Sequence, residues 1–129
     1  MMIKILALTA MLVLISPFAI NAKGIKVDKF DVPADQLEDA KSLSKATDIM
    51  SKNVMKCMDT GKDNKKCICE NLDKLENIEK IYTDLLKKHP EWKGKMLYFE
   101  TSTPEFPTYS HNIFLPGLEK QFTMKESCN

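Results

Sequence analysis

No arginine occurs anywhere in these 129 residues. Arginine is the usual residue for two-pronged capture of phosphate or carboxylate and a frequent interface anchor, so its absence disfavours a phosphate-handling site. Histidine occurs only at His89 and His111, which leaves little acid–base machinery near neutral pH. No Gly-x-Ser-x-Gly, His-Glu-x-x-His, Cys-x-x-Cys or Cys-x-x-His-Asp spacing is present. Those absences remove the usual signatures of a serine hydrolase, a zinc peptidase, a thiol redox protein and a small disulfide-rich phospholipase. A surplus of charge is missing too: 19 lysines face 18 acids, for a formal net charge of +1. That balance argues against a nucleic-acid surface and against an electrostatic grip on membranes. No internal repeat and no low-complexity segment appears.

Long apolar runs are absent except at the start. Met1-Met2-Ile3-Lys4 is a short positive segment, Ile5 to Ile15 an apolar run, and Ser16-Pro17 a break. Ala19-Ile20-Asn21-Ala22 then supplies small residues at a cleavage position. This layout predicts a secretory signal peptide over residues 1–22, cut after Ala22. The run is shorter than the roughly 20 residues a membrane span needs, and no cysteine at the cut indicates a lipid anchor. Residues 23–129 are expected to form one small soluble domain, periplasmic or secreted, with no membrane span. All four cysteines, Cys57, Cys67, Cys69 and Cys128, lie in that part. They would meet an oxidising compartment, where thiols pair.

Residues 23–31 read as an irregular lead-in. Pro33 suits a first helical turn, and Asp35, Glu38 and Asp39 suit the positive end of a helix dipole. Ala40, Leu43, Ala46, Met50, Val54 and Cys57 follow at steps of three or four, so a helix is expected over residues 33–59. Gly61 is a good terminator, and Asp63 or Asn64 can cap a second helix. That helix carries the stripe Ile68, Leu72, Leu75, Ile78, Tyr82, Leu85 and Leu86 and ends before Pro90. On its outer side Glu70–Lys74, Glu76–Lys80 and Asp84–Lys88 place each acid four residues before a lysine, the favourable order. Beyond Pro90 the chain turns aromatic. A short helix to about Glu100 fits, weakened by Gly94, and Met96 to Thr101 can alternatively be a strand. Residues 101–115, holding Pro104 and Pro107, read as a loop, and Pro116 can open a last short helix. The fold class expected is all-α: a disulfide-stapled antiparallel helical hairpin, closed by one or two short C-terminal helices and an aromatic, proline-spaced loop.

Four cysteines allow three connectivities. In a hairpin turning near Gly61-Lys62, Cys57 lies level with Cys67, and their bond is geometrically natural. Cys69 points about 160° away from Cys67 on the same helix, free to receive Cys128. A Cys67–Cys69 bond would distort adjacent turns. A soft-metal site for Cu(I) is the competing use of Cys67-Ile68-Cys69, with Met50, Met55, Met58, Met96 and Met124 as thioethers. An even cysteine count outside the cytosol favours disulfides instead, and Met50 on the core stripe is ordinary packing.

No motif supports catalysis. His89 is expected as a helix C-terminal residue, and Ser110 beside His111 is no nucleophile pair, since such partners meet in space. Phe106, Tyr109 and Phe114 follow no period and sit among Ser, Thr and Pro. They either fold back as a lid or form a partner-binding surface. The expectation is therefore a non-enzymatic exported protein that binds a protein partner, inhibitor- or immunity-like, without a cofactor. The alternative is a carrier of a small apolar ligand or soft metal, in a cavity lined by Leu75, Tyr82 and Trp92.

Overall fold

The computed structural model describes residues 27–128; the expected signal peptide lies outside them. Strand β1 (Lys29–Asp31) leads through a 3-10 turn (Ala34–Gln36) into helix α1 (Leu37–Met58). Helices α2 (Asn64–Cys69) and α3 (Leu72–Lys88) follow, then a second 3-10 turn (Pro90–Trp92). Strands β2 (Met96–Thr101) and β3 (Tyr109–Phe114), helix α4 (Leu115–Thr123) and a closing 3-10 turn (Met124–Cys128) complete the chain.

The all-α expectation is overturned by a three-stranded sheet in the order β1-β2-β3. β1 pairs parallel with β2, and β2 antiparallel with β3. Met96–Thr101, for which a strand was the alternative to a helix, is the central strand. Its alternation buries Leu97 and Phe99 and leaves Met96, Tyr98 and Glu100 on the opposite face, the period-two pattern of a half-buried sheet. The expected loop over residues 101–115 contains β3, and the expected lead-in contains β1. Only the stretch from Ser102 to Thr108 stays irregular.

The two long helices form where their stripes predicted. α1 buries Ala40, Leu43, Ala46, Met50 and Val54, and α3 buries Leu75, Ile78, Tyr82 and Leu85. α1 ends as Thr60 and Gly61 N–H groups donate to Cys57 and Met58 carbonyls, with Gly61 at φ +93°. Glycine adopts that left-handed conformation without steric cost. The Asp63 side chain accepts from Lys66 N–H at 2.8 Å and caps α2.

The expected second helix is two helices. Asn71 breaks it: its side-chain amide donates to Cys67 O at 2.8 Å, satisfying a terminal carbonyl of α2. Its own carbonyl accepts from Lys74 and Leu75 N–H and starts α3. None of the three expected i,i+4 ion pairs closes among the described residues. Lys62 takes Glu70, Lys88 takes Asp39, and Lys74 takes Asp73.

Cys57 joins Cys67 and Cys69 joins Cys128, the pairing the hairpin register suggested. The bridges are 10 and 59 residues apart in sequence. Chain-entropy arguments give about 2–3 kcal/mol for the short loop and about 4 kcal/mol for the long one. The first ties the end of α1 to α2; the second ties the C-terminal turn to α2. At the opposite end, Asp39 at the start of α1 pairs with Lys88 at 2.9 Å and His89 at 2.8 Å. Trp92 stacks on His89 and donates its indole N–H to Gln36 Oε1 at 2.7 Å.

Candidate functional site: the groove along strand β3

Among the described residues β3 is an edge strand, paired only with β2. It reads Tyr109-Ser110-His111-Asn112-Ile113-Phe114 and holds no lysine or acid. A cleft of about 490 Å³ runs along it. One wall is β3 itself; the other is Ser44, Thr47 and Asp48 of α1, and Gly117, Leu118 and Gln121 of α4 close it. A second cleft of about 420 Å³ shares Thr47, Asp48, Leu118 and Gln121 and continues past Met50, Val54, Met55 and Met58 to Asn64 and Ile68 of α2. Sharing those four residues, the two form one groove along α1 that reaches Asn64 and Ile68 of α2.

Local sequence builds each wall. α1 turns its stripe inward and leaves Met55 and Met58 off the stripe, exposed. α4 begins directly after β3, with Phe114 as its N-cap residue and Pro116 in its first turn. Gly117 lies under the Phe114 ring, where an added Cβ would sit 3.1 Å from Cδ2. A side chain there would push the ring from its seat on the groove.

The three aromatic residues singled out by sequence are all exposed: Phe106 at 58%, Tyr109 at 53% and Phe114 at 47%. They are not one cluster. Phe106 meets Tyr109 edge-on, with ring centroids 6.2 Å apart. Tyr109 in turn meets His111 edge-on at 4.8 Å. Phe114 alternates to the other face of the sheet from Tyr109 and reaches the groove from its α4 end. Sequence reasoning missed the α1 wall. Of the seven large hydrophobic side chains exposed among the described residues, Met55, Met58, Tyr109 and Phe114 line the groove. Ile49 lines a neighbouring cleft that shares Asp48, Ser44 and His111 with it. The signal was available: Ile49, Met55 and Met58 are large apolar residues lying off the α1 stripe.

The two histidines are held by other side chains. His111 stacks on Phe99 at 4.6 Å, with Nδ1 3.4 Å from Ser44 Oγ and Nε2 2.8 Å from Thr101 Oγ1. A hydrolase triad needs a carboxylate on the second nitrogen; here a threonine hydroxyl occupies it. His89 is 7% exposed and bonded to Asp39. Hydrogen bonds from Lys88 and then His89 hold the Asp39 carboxyl below the usual carboxylate range. Tyr82 bonds to Glu119, and burial together with that acid raises its phenol well above the ordinary tyrosine value.

Leu75, Tyr82 and Trp92, expected to line a carrier cavity, are packed into the core at 1%, 6% and 1% exposure. Every described cysteine is in a disulfide, so none offers a thiolate to a metal. Among the described residues no group of three or more His, Cys, Asp or Glu side chains is placed to hold a metal ion. No described helix is long and apolar enough to cross a membrane. Comparison with protein-family models, with curated proteins and with solved structures returns no match for this chain.

Proposed function

We propose that this chain is an exported, disulfide-stapled protein that binds a protein partner, inhibitor- or immunity-like, through the β3 groove, and performs no chemistry of its own. One observation carries the reading. An uncharged edge strand borders a groove lined by four of the seven described exposed large hydrophobic side chains, set among polar Ser44, Thr47, Ser110, Asn112 and Gln121, and exposed apolar side chains within a polar rim mark interaction sites. Export is supported by the leader-like first 22 residues together with two disulfides, which persist in oxidising compartments. The non-enzymatic part is supported by the histidine surroundings, which supply neither a carboxylate-backed nucleophile nor an open acid–base pair.

The test uses oxidised protein comprising residues 23–129 as bait against the envelope fraction of the producing cells, with mass spectrometry of what is retained. The reading expects a protein retained by the unaltered chain and lost with Tyr109→Ala. Retention that is indifferent to Tyr109→Ala and to Met55→Ala would remove the groove from the account. The soft-metal alternative rests on Met50, Met55 and Met58 lining one cleft. Titration with Cu(I) under argon separates it: stoichiometric binding abolished by Met55→Ala would favour a carrier.

A further inference from the structure

On the protein-binding reading, the open edge of β3 sets what kind of segment the groove takes. Leu115 N–H donates to Lys95 O at 3.1 Å, beside the start of the β2–β3 ladder. In an antiparallel ladder, pairs that exchange hydrogen bonds alternate with pairs that do not. Leu97/Ile113, Phe99/His111 and Thr101/Tyr109 are therefore the bonded pairs. The opposite edge of β2 agrees: Met96 N–H donates to Asp28 O at 2.8 Å, and Tyr98 O accepts from Val32 N–H at 2.9 Å. By the same alternation, Ser110 and Asn112 turn N–H and C=O to the open edge. Phe114 turns its N–H there, while its carbonyl serves α4 as the N-cap.

This row of directional backbone groups forms one wall of the cleft, with α1 opposite. Among the residues lining the two joined clefts, Asp48 alone carries a full charge, and it has no ion-pair partner among the described residues. We propose that the partner docks as an extended strand added to β3. Its backbone would bond Ser110, Asn112 and the Phe114 N–H. Alternate side chains would turn inward: apolar ones against Tyr109, Ile113 and Leu118, and one lysine or arginine against Asp48. Backbone bonds supply affinity in such strand addition, and the alternate side chains supply selectivity. A second copy is the poorer occupant, because its β3 holds no lysine to set against Asp48.

The experiment selects peptides from a library of random linear sequences on the oxidised 23–129 protein, then measures amide hydrogen exchange with the synthetic consensus peptide at saturation. The expected result is an alternating apolar consensus with a basic residue and slowed exchange at Ser110, Asn112 and Phe114, with β1 unchanged. Asn112→Pro removes one outward N–H from an edge, where proline is tolerated. It should weaken the peptide by at least about tenfold with little change in melting temperature, while Asn112→Ala binds normally. Should Asn112→Pro fail to fold, the exchange measurement on the unaltered chain still decides. Peptides that bind, depend on Tyr109, and leave those amides unprotected would overturn strand addition and leave the protein-binding reading standing. A consensus without a basic residue would overturn the stated partner chemistry. Protection that appears without peptide, alongside dimer mass, would assign the edge to a second copy. No selected binder at all would overturn the proposal, and loss of envelope capture as well would overturn the function it rests on.

Discussion

The two edges of the one sheet are treated differently. β1 is three residues long, and its outward Lys29 and Asp31 pair at 3.5 Å, with the lysine ammonium 4.0 Å from the centroid of the Tyr98 ring. Shortness and charge are the usual devices that keep an edge from recruiting another strand. β3 is six residues long, uncharged, and bordered by exposed Phe106, Tyr109 and Phe114. The fold applies those devices at β1 and not at β3, and the cleft beside β3 is the one lined by exposed Tyr109 and Phe114, whereas the cleft at the end of β1 is lined by Asp31 and Glu100. That contrast is the reason to read the β3 side as a surface in use.

Perturbations can break or sharpen the contrast, beginning with those that should not respect it. Leu75 is 1% exposed in the core. Leu75→Ala should cost about 2–5 kcal/mol by denaturant titration, and partner capture should fall only as folded protein is lost. Next comes the long bridge. Replacing Cys69 and Cys128 with serine should remove up to about 4 kcal/mol. It also frees the turn that follows α4, so exchange should quicken at α4 and the groove before β1 responds. A smaller effect is expected from pH. Folding favours the ionised Asp39, whose carboxyl is held low by Lys88 and then His89. That stabilisation is complete above the ordinary carboxylate range, near about pH 4, and is lost as pH falls through the folded value. Asp39→Asn should therefore flatten the acid limb of a stability–pH curve and leave groove binding at neutral pH unchanged. The smallest effect belongs to the guarded edge: Lys29→Ala should change stability by less than about 1 kcal/mol and leave capture unaltered. Loss of capture there would erase the distinction between the edges.

The helices were legible because their stripes are long and regular. Both disulfides were legible because Gly61 and the spacing of Cys57 and Cys67 set the turn. The sheet was harder. Three residues of β1 are too few to display a period. β3 buries only Ile113 strongly, so its alternation is faint, and Pro104, Pro107 and Pro116 around it read as loop. Met96–Thr101 alternates visibly, but Pro90-Glu91-Trp92 upstream resembles a helix start and is in fact a 3-10 turn closed by Gly94 at φ +75°. The break at Asn71 hid inside an unbroken apolar stripe. Of the groove, the aromatic wall was legible. The α1 wall was signalled only by Met55 and Met58 lying off the stripe, and it takes shape once Leu118 and Gln121 of α4 lie across the cleft from them.

The central claim is that the β3 side is surface for binding and not lid for the core. Phe106→Ala and Tyr109→Ala, measured on the same oxidised samples for melting temperature and for binding of the captured partner, test it most directly. The account predicts melting temperatures close to that of the unaltered protein and binding weakened by at least about tenfold, or about 1.4 kcal/mol. Melting temperatures lowered as far as Leu75→Ala lowers them, with binding by the remaining folded protein intact, would contradict it.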